Sequence, residues 1–315
     1  MGEQPIQVSV MCAVYNHEKY VRKALQSFVD QKTNFRFEVL VHDDASTDGS
    51  AAIIKEYEEK YPDIIKPIYQ TINQYSQGVS IGKTFQLPRA QGKYIAFCEG
   101  DDYWTDPNKL QEQFDFMETH EDYVLVAHGS DIVDENGTYV SEFSKITKTD
   151  YEKGQLIEDI NAFQTASMFY RKTMWENNFD FLNTVSMFDY VTKSVLSTEG
   201  KIHIIPKVMS AYRKGAIGSW TQRVAKKSDQ HMKHLVNSIE FFKKLDAYRN
   251  YEFRDIIALE IKRREYMYLM LDRSAESSRK ILREHRDKYK QLHLLGKISI
   301  LLSATGLYKP KKEKS

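Results

Sequence analysis

Two adjacent carboxylates close a short apolar stretch near the middle of the chain. Residues 94–98 (Tyr-Ile-Ala-Phe-Cys) are β-prone and almost wholly apolar, and they run into Glu99-Gly100-Asp101-Asp102. Paired hard oxygen ligands suit a Mg²⁺ or Mn²⁺ ion whose remaining ligands are waters and substrate phosphates. Neighbouring side chains on a regular strand point to opposite faces, so a turn at the strand end must aim both acids at one pocket. Gly100 supplies the freedom for such a turn, or for a close backbone approach to a ligand. An Asp-rich surface turn is the plain alternative.

Two further polar clusters follow apolar stretches in the same way, Tyr15-Asn16 after residues 6–15 and Asp43-Asp44 after residues 38–41. Residues 20–29 and 50–61, behind these clusters, carry helical patterns, and Asp48 or Ser50 can cap the second helix. Residues 64–70 predict a third strand, and 81–90 a short helical piece broken at Pro88. Strands alternating with helices predict an α/β fold with a mostly parallel, Rossmann-like sheet. In such sheets ligands sit beyond the carboxyl ends of the strands, so the three clusters predict one shared site.

Beyond Trp104, the spacing predicts a helix from Asp106-Pro107 to about His120, then a hairpin of residues 123–133 and 139–143 around Asn136-Gly137. Residues 164–170, 201–205 and 208–212 read as strands, and 187–200 as a helix. From about residue 222 the pattern is helical throughout, over 230–248, 253–272 and 277–292, followed by a mildly apolar segment and a basic tail. The predicted division is therefore an α/β domain over 1–221 and a helical C-terminal extension over 222–315.

With 315 residues, 41% of them hydrophobic, the chain can bury one large core and a smaller second one. A net charge of +1 gives no global field favouring nucleic acid. Residues 1–7 lack the apolar centre of a signal peptide, and no apolar run is long enough to cross a membrane. Cys12 and Cys98 both fall in predicted buried strands, which fits free thiols in a reducing cytoplasm. A Gly-rich dinucleotide fingerprint and a Walker lysine loop are both missing. A nucleotide bound here is expected to be held by a metal on its phosphates.

Together these motifs resemble the family 2 glycosyltransferases, inverting enzymes of GT-A fold. The resemblance covers residues 8–221 and rests on Val-Ser-Val…Val-Tyr-Asn at 8–16, Asp-Asp-Ala-Ser-Thr-Asp-Gly at 43–49, the 92–104 segment, Phe-Asp-Tyr at 188–190 and Val-Met-Ser-Ala-Tyr-Arg at 208–213. It implies a nucleotide-diphosphate sugar donor, a UDP-sugar by preference, and a glycan or lipid-linked acceptor in bacterial surface polysaccharide or glycoconjugate synthesis. Ala13, Val14 and Tyr15 would flank the nucleobase, Asp44 would accept a hydrogen bond from it, Asp101 would face the ribose, and Gly100 would belong to the same nucleotide-sugar site. Asp102 would hold the Mg²⁺ or Mn²⁺ ion, and Asp189 would be the general base. Lys83 matches a region where relatives place a basic residue near the nucleotide. Trp104 would stack on an acceptor sugar or pack beneath its loop.

One departure stands out. Relatives carry a histidine two residues after the Tyr-Arg pair, and this chain has Gly215 there. Either the metal then has fewer protein ligands, or Arg213 or Lys214 steadies the diphosphate instead, and the 215–218 stretch would form a flap over the donor. The C-terminal region is read first as a helical lid shaping the acceptor site. The second reading is a peripheral contact with the inner face of a membrane, through apolar residues flanked by Lys297, Lys309, Lys311 and Lys312. A non-catalytic nucleotide-sugar-binding or scaffold subunit of a polysaccharide assembly complex is the alternative to an enzyme.

Overall fold

The computed structural model describes residues 4–185, 189–216, 228–272 and 274–305. The chain divides into two units, Met1–Gln222 and Arg223–Ser315. In the first unit ten strands form one sheet among the described residues: β1 (Ile6–Val14), β2 (Arg36–Asp43), β3 (Ile68–Tyr69), β4 (Tyr94–Phe97), β5 (Tyr103–Trp104), β6 (Tyr123–Val133), β7 (Tyr139–Glu142), β8 (Asp150–Tyr151), β9 (Phe169–Arg171) and β10 (Lys201–Arg213). Their order is β3-β2-β1-β4-β9-β6-β10-β5, with β7 on β6 and β8 on β10.

β1, β2, β3 and β4 are mutually parallel, and β10 is parallel to β6. β9 runs antiparallel to both β4 and β6 and fills the gap between them. Six strands therefore share one direction, and the carboxyl ends of β1, β2, β4 and β10 lie on the same edge of the sheet.

Among the described residues six helices belong to this unit: α1 (Val21–Val29), α2 (Ser50–Lys60), α3 (Lys109–Thr119), α4 (Thr173–Asn177), α5 (Phe179–Asn183) and α6 (Asp189–Ser197). The apolar residues of β1 pack with Leu25 and Phe28 of α1, Ile54 and Tyr57 of α2, and Leu110 and Met117 of α3. Burying a side chain of this size contributes about 1.5–3 kcal/mol, which is what holds these helices to the sheet.

A buried polar group pins β1 to its neighbours. Ser9 Oγ donates to Glu38 Oε1 at 2.7 Å, and Glu38 Oε1 also accepts the Gln91 N–H at 2.8 Å. The Gly92 N–H donates to Ser9 Oγ at 2.9 Å. A Cβ on Gly92 would stand 2.5 Å from the Ser9 backbone nitrogen, so only glycine lets the chain enter β4 this close to β1.

Local details differ from the sequence-based expectations for identifiable reasons. The predicted strands 201–205 and 208–212 are one strand, β10, whose register shifts between Ile205 and Val208, where Pro206 sits at the irregularity. The 81–90 segment is a wide turn, Gly82–Gln86, followed by a single tight turn at Leu87–Arg89. Residues 164–170 begin as a turn, Thr165–Ser167, before β9. The 134–138 turn is built on Asp134, whose Oδ1 accepts the N–H groups of Asn136 and Thr138.

The second unit contains α7 (Ser228–Tyr248), α8 (Arg254–Asp272), α9 (Ala275–Glu284), α10 (Arg286–Gln291) and α11 (Leu294–Ala304). α9 and α10 replace the single helix expected over 277–292, because the backbone leaves helical geometry at His285. Leu269 of α8, Ile281 of α9 and Ile300 of α11 form its small core.

Candidate active site

The polar clusters expected at one edge of the sheet do meet there. The loops after β1 and β2 are stitched together by short bonds. The Asn16 N–H donates to Ser46 Oγ at 2.9 Å, the Thr47 N–H to Asn16 Oδ1 at 2.8 Å, and the His17 N–H to Ser50 Oγ at 2.8 Å. Asn16 and Ala45 both hold positive φ, 58° and 61°. For alanine this is strained backbone, which persists only where the surroundings over-determine it. Asp48 serves the loop, accepting the N–H groups of Ser50 and Glu18, which keeps its pKa below the ordinary value despite partial burial.

Tyr15 and Ala13 are half-exposed at the end of β1, whereas Val14 points into the core. Val14 therefore does not line a base pocket. Gly100 sits tightly against this strand end. Its N–H donates to the Ala13 carbonyl at 3.0 Å, and a Cβ would come within 2.8 Å of Val14 Cγ2. The close approach that a glycine permits here is to β1.

Asp44 is buried, and both of its oxygens are engaged. Oδ1 accepts the Gln74 N–H at 2.7 Å and Oδ2 the Tyr75 N–H at 3.0 Å. His42 Nε2 lies 3.6 Å from Oδ1, and burial pushes the His42 pKa down. Asp44 thus anchors the turn around residues 73–75. Lys83 is half-buried on the Gly82–Gln86 turn, with no ion pair or hydrogen bond from its side chain among the described residues.

The carboxylates after β4 have distinct environments. Asp102 is 2% exposed. Its Oδ2 accepts Gln164 Nε2 at 2.8 Å and its Oδ1 the Arg213 N–H at 2.8 Å. Burial, and then the neighbouring Asp101 charge, push its pKa well up against these two bonds. The acid expected to grip a cation is therefore the one least free to do so, since it ties β10 and the turn before β9 to the end of β4. Asp101 has its carboxylate 4.0 Å from His17 Nε2, and no hydrogen bond to that carboxylate occurs among the described residues. Glu99 is exposed to solvent. The surrounding protein, and then the charges of Asp101 and Asp189, still raise its pKa to about 8.

Asp189 is the first residue of α6, and its Oδ1 accepts the Tyr190 N–H at 2.8 Å. Its charge is felt at Glu99, where it helps raise the carboxyl pKa. A helix N-terminus favours a carboxylate at that position. Residues 186–188 lie outside the described residues.

Two expected contacts are taken up by the fold itself. Trp104 is 4% exposed, donates Nε1–H to the Ala166 carbonyl at 3.0 Å, packs edge-on to Phe28 and carries Lys109 Nζ 4.0 Å over its ring. It packs beneath its loop and offers no face to an acceptor sugar. Arg213 is buried and donates Nε–H to the Asp101 carbonyl at 3.0 Å and Nη1–H to the carbonyls of Asp134 and Glu135. A guanidinium so committed has no fork left for a diphosphate. Lys214 is exposed beyond the strand end, with no side-chain partner among the described residues. Gly215 follows at φ 87°, and the second half of the expected flap, residues 217–218, lies outside the described residues.

Sequence reasoning gave no role to Glu99, Gln164 or His17. Glu99 carried a signal, as an acid two residues before Asp101 at a strand end. Gln164 carried none, since its partner is 62 residues away in sequence.

The donor set suits a divalent cation. Glu99 and Asp101 offer hard carboxylate oxygens, and the Glu99 pKa is raised first by desolvation and then by like charge, the part that a cation would neutralise. Among the described residues no group of three or more His, Cys, Asp or Glu side chains could hold a metal together. A bound ion would therefore take most of its ligands from water and substrate.

Residues 9–178 match the family described as Glycosyl transferase family 2. The sequence is 36% identical over 214 residues to an uncharacterized protein of Mycobacterium tuberculosis, a match covering 68% of this chain and 60% of that protein. The chain thus matches well under two thirds of that relative's length. It is 36% identical over 110 residues to the putative teichuronic acid biosynthesis glycosyltransferase TuaG of Bacillus subtilis, covering 35% of this chain and 41% of that protein. In structure it resembles S. aureus TarS 1–349 in complex with UDP-GlcNAc, with TM-score 0.58 and 19% identity over 95% of this chain and 79% of that one. It also resembles the mannosyltransferase PcManGT of Pyrobaculum calidifontis in complex with GDP-Man and Mn²⁺, with TM-score 0.57 and 14% identity over 98% and 82% of the two chains. These likenesses show a GT-A-like fold, mixed α/β with a helical C-terminal region.

Proposed function

The chain belongs to glycosyl transferase family 2, and on that premise we propose that it moves a sugar, with inversion, from a nucleotide-diphosphate donor to an acceptor hydroxyl. The observation that carries this reading is the acidic turn after β4, whose Asp101 carboxylate lies 4.0 Å from His17 Nε2 of the loop after β1, at the carboxyl ends of neighbouring parallel strands. A UDP-sugar is the favoured donor. The acceptor is a glycan or lipid-linked saccharide in surface polysaccharide or glycoconjugate synthesis, the kind of pathway named for TuaG.

Ala13 and Tyr15 flank the base. Asp44 reads it from beneath the Gln74–Tyr75 turn, the base N–H taking the place of one of the two backbone donors. Glu99 and Asp101 hold Mn²⁺ or Mg²⁺, and Asp102 fixes the loop that presents them. A divalent cation, when bound, neutralises charge growing on the leaving diphosphate. Lys83 and Lys214, both cations without partners among the described residues, would offer their charge to the same phosphates. Asp189 takes the proton of the acceptor hydroxyl as its oxygen bonds to the anomeric carbon. The bond from that carbon to the diphosphate breaks on the opposite face.

The test is release of nucleoside diphosphate from a panel of nucleotide-sugars by the full chain and by Asp189→Asn. Turnover should fall about 10²–10⁴-fold with donor binding retained. Wild-type turnover in the variant would remove Asp189 from the reaction.

A further inference from the structure

The second unit leaves one helical face uncovered. α11 is held by Ile300, Ser303 and Ala304, which are buried, and by Arg279, whose Nε–H donates to the Ala304 carbonyl at 2.9 Å. The other side of the same helix carries Leu294, Ile298, Leu301 and Leu302, exposed by 72%, 42%, 45% and 38%. At helical spacing these four positions occupy an arc of about 100°, roughly opposite the anchored side. Water-facing leucine and isoleucine in a continuous stripe is costly unless something covers it.

The charge around the stripe indicates what that is. From Arg279 to Ser315 the sequence has eleven Lys and Arg against three Asp and Glu, a net +8. The whole chain carries only +1, so the 278 residues before this segment carry −7. Lys288 and Lys290 lie on α10 immediately before the stripe, and Lys297 lies on α11 beside it. α11 has 11 residues, and among the described residues no helix is long and apolar enough to cross a membrane. A short helix with an apolar stripe inside a basic segment fits the interface of an anionic bilayer, with its axis in the membrane plane.

We infer that α11 is a membrane-surface anchor that inserts Leu294, Ile298, Leu301 and Leu302 into an anionic leaflet, with the lysines of α10 and α11 on the headgroups. In combination with the proposed transfer reaction, on which this clause alone rests, such an anchor would bring the enzyme to an acceptor carried on a lipid. Zwitterionic lipid would bind it far less, because one short stripe without the electrostatic contribution is a marginal anchor.

Flotation of the full chain with phosphatidylcholine vesicles containing phosphatidylglycerol, and with phosphatidylcholine alone, tests the inference. The wild type should float with the anionic vesicles and be released by high salt. The triple variant Lys288→Gln, Lys290→Gln, Lys297→Gln should lose on the order of 100-fold in partition. Ile298→Ser with Leu301→Ser should abolish flotation while donor hydrolysis stays at the wild-type rate, which shows that the protein is folded. Equal flotation of both variants and the wild type would overturn the anchor. So would wild type that ignores anionic vesicles, or that forms a lipid-independent dimer which these two serines dissolve. Loss of flotation with hydrolysis intact bears on the anchor, whereas absence of hydrolysis in the wild type bears only on the proposed reaction.

Discussion

Glu99→Gln isolates the electrostatics of the proposed cation site. The Glu99 carboxyl pKa is raised from its ordinary 4.5 to about 8, because nearby protein atoms desolvate it and Asp101 and Asp189 repel its charge. At about 1.4 kcal/mol per tenfold, ionising a fully buried group with that shift would cost about 5 kcal/mol. Glu99 is open to water, which screens most of this, and about 1–2 kcal/mol is a reasonable remainder. The sign follows from proton linkage. Between pH 4.5 and 8 the folded state holds a proton that the unfolded state has released, so stability falls as pH rises through that window and levels off above it. In a chelator, wild-type protein should lose about 2–6 °C of melting temperature across the window, and Glu99→Gln should lose much less. Mn²⁺ at pH 8 should restore the wild type by binding the ionised form, and restore the variant weakly. Thermal unfolding of the full chain from pH 5 to 9, with chelator and with Mn²⁺, reads all four conditions. A variant that follows the wild-type pH profile, or gains as much from Mn²⁺, would show that Glu99 neither feels its neighbours nor holds the ion.

Two further substitutions separate support from chemistry. Gln164→Leu leaves Asp102 Oδ2 buried without its donor and should cost about 1–3 kcal/mol, seen as a lower denaturant midpoint with an unchanged slope. Trp104→Phe removes the indole bond to Ala166 and should cost about 1–2 kcal/mol of stability, leaving the Michaelis constant for acceptor where it was. A raised acceptor constant with normal stability would return Trp104 to the sugar site.

Much of this site was readable from residues close together in sequence. The apolar strands that end at Val14, Asp43 and Phe97 announce themselves by composition, and Asp48 accepts the Ser50 N–H two residues on, at the start of α2. The errors share a physical origin. Asp101 and Asp102 are adjacent and chemically identical, and only the positions of Gln164 and Arg213 decide which of them is sealed in. Arg213 looks like an anion binder until Asp134 and Glu135 bring their carbonyls to it from another turn. Trp104 becomes core because Phe28 and Ala166, from distant parts of the chain, close over it. Pro206 reads as a break, yet β10 continues past it because the irregularity in its ladder absorbs the missing donor.

The bond from the Arg213 N–H to Asp102 spans 111 residues of chain. During synthesis from the N-terminus, β1, β2 and β4 emerge long before the residue that completes this clasp. A nascent or truncated chain can build the sheet's parallel edge and still leave its acidic loop unfastened. The acidic loop is therefore fastened only after β10, the far strand, has docked.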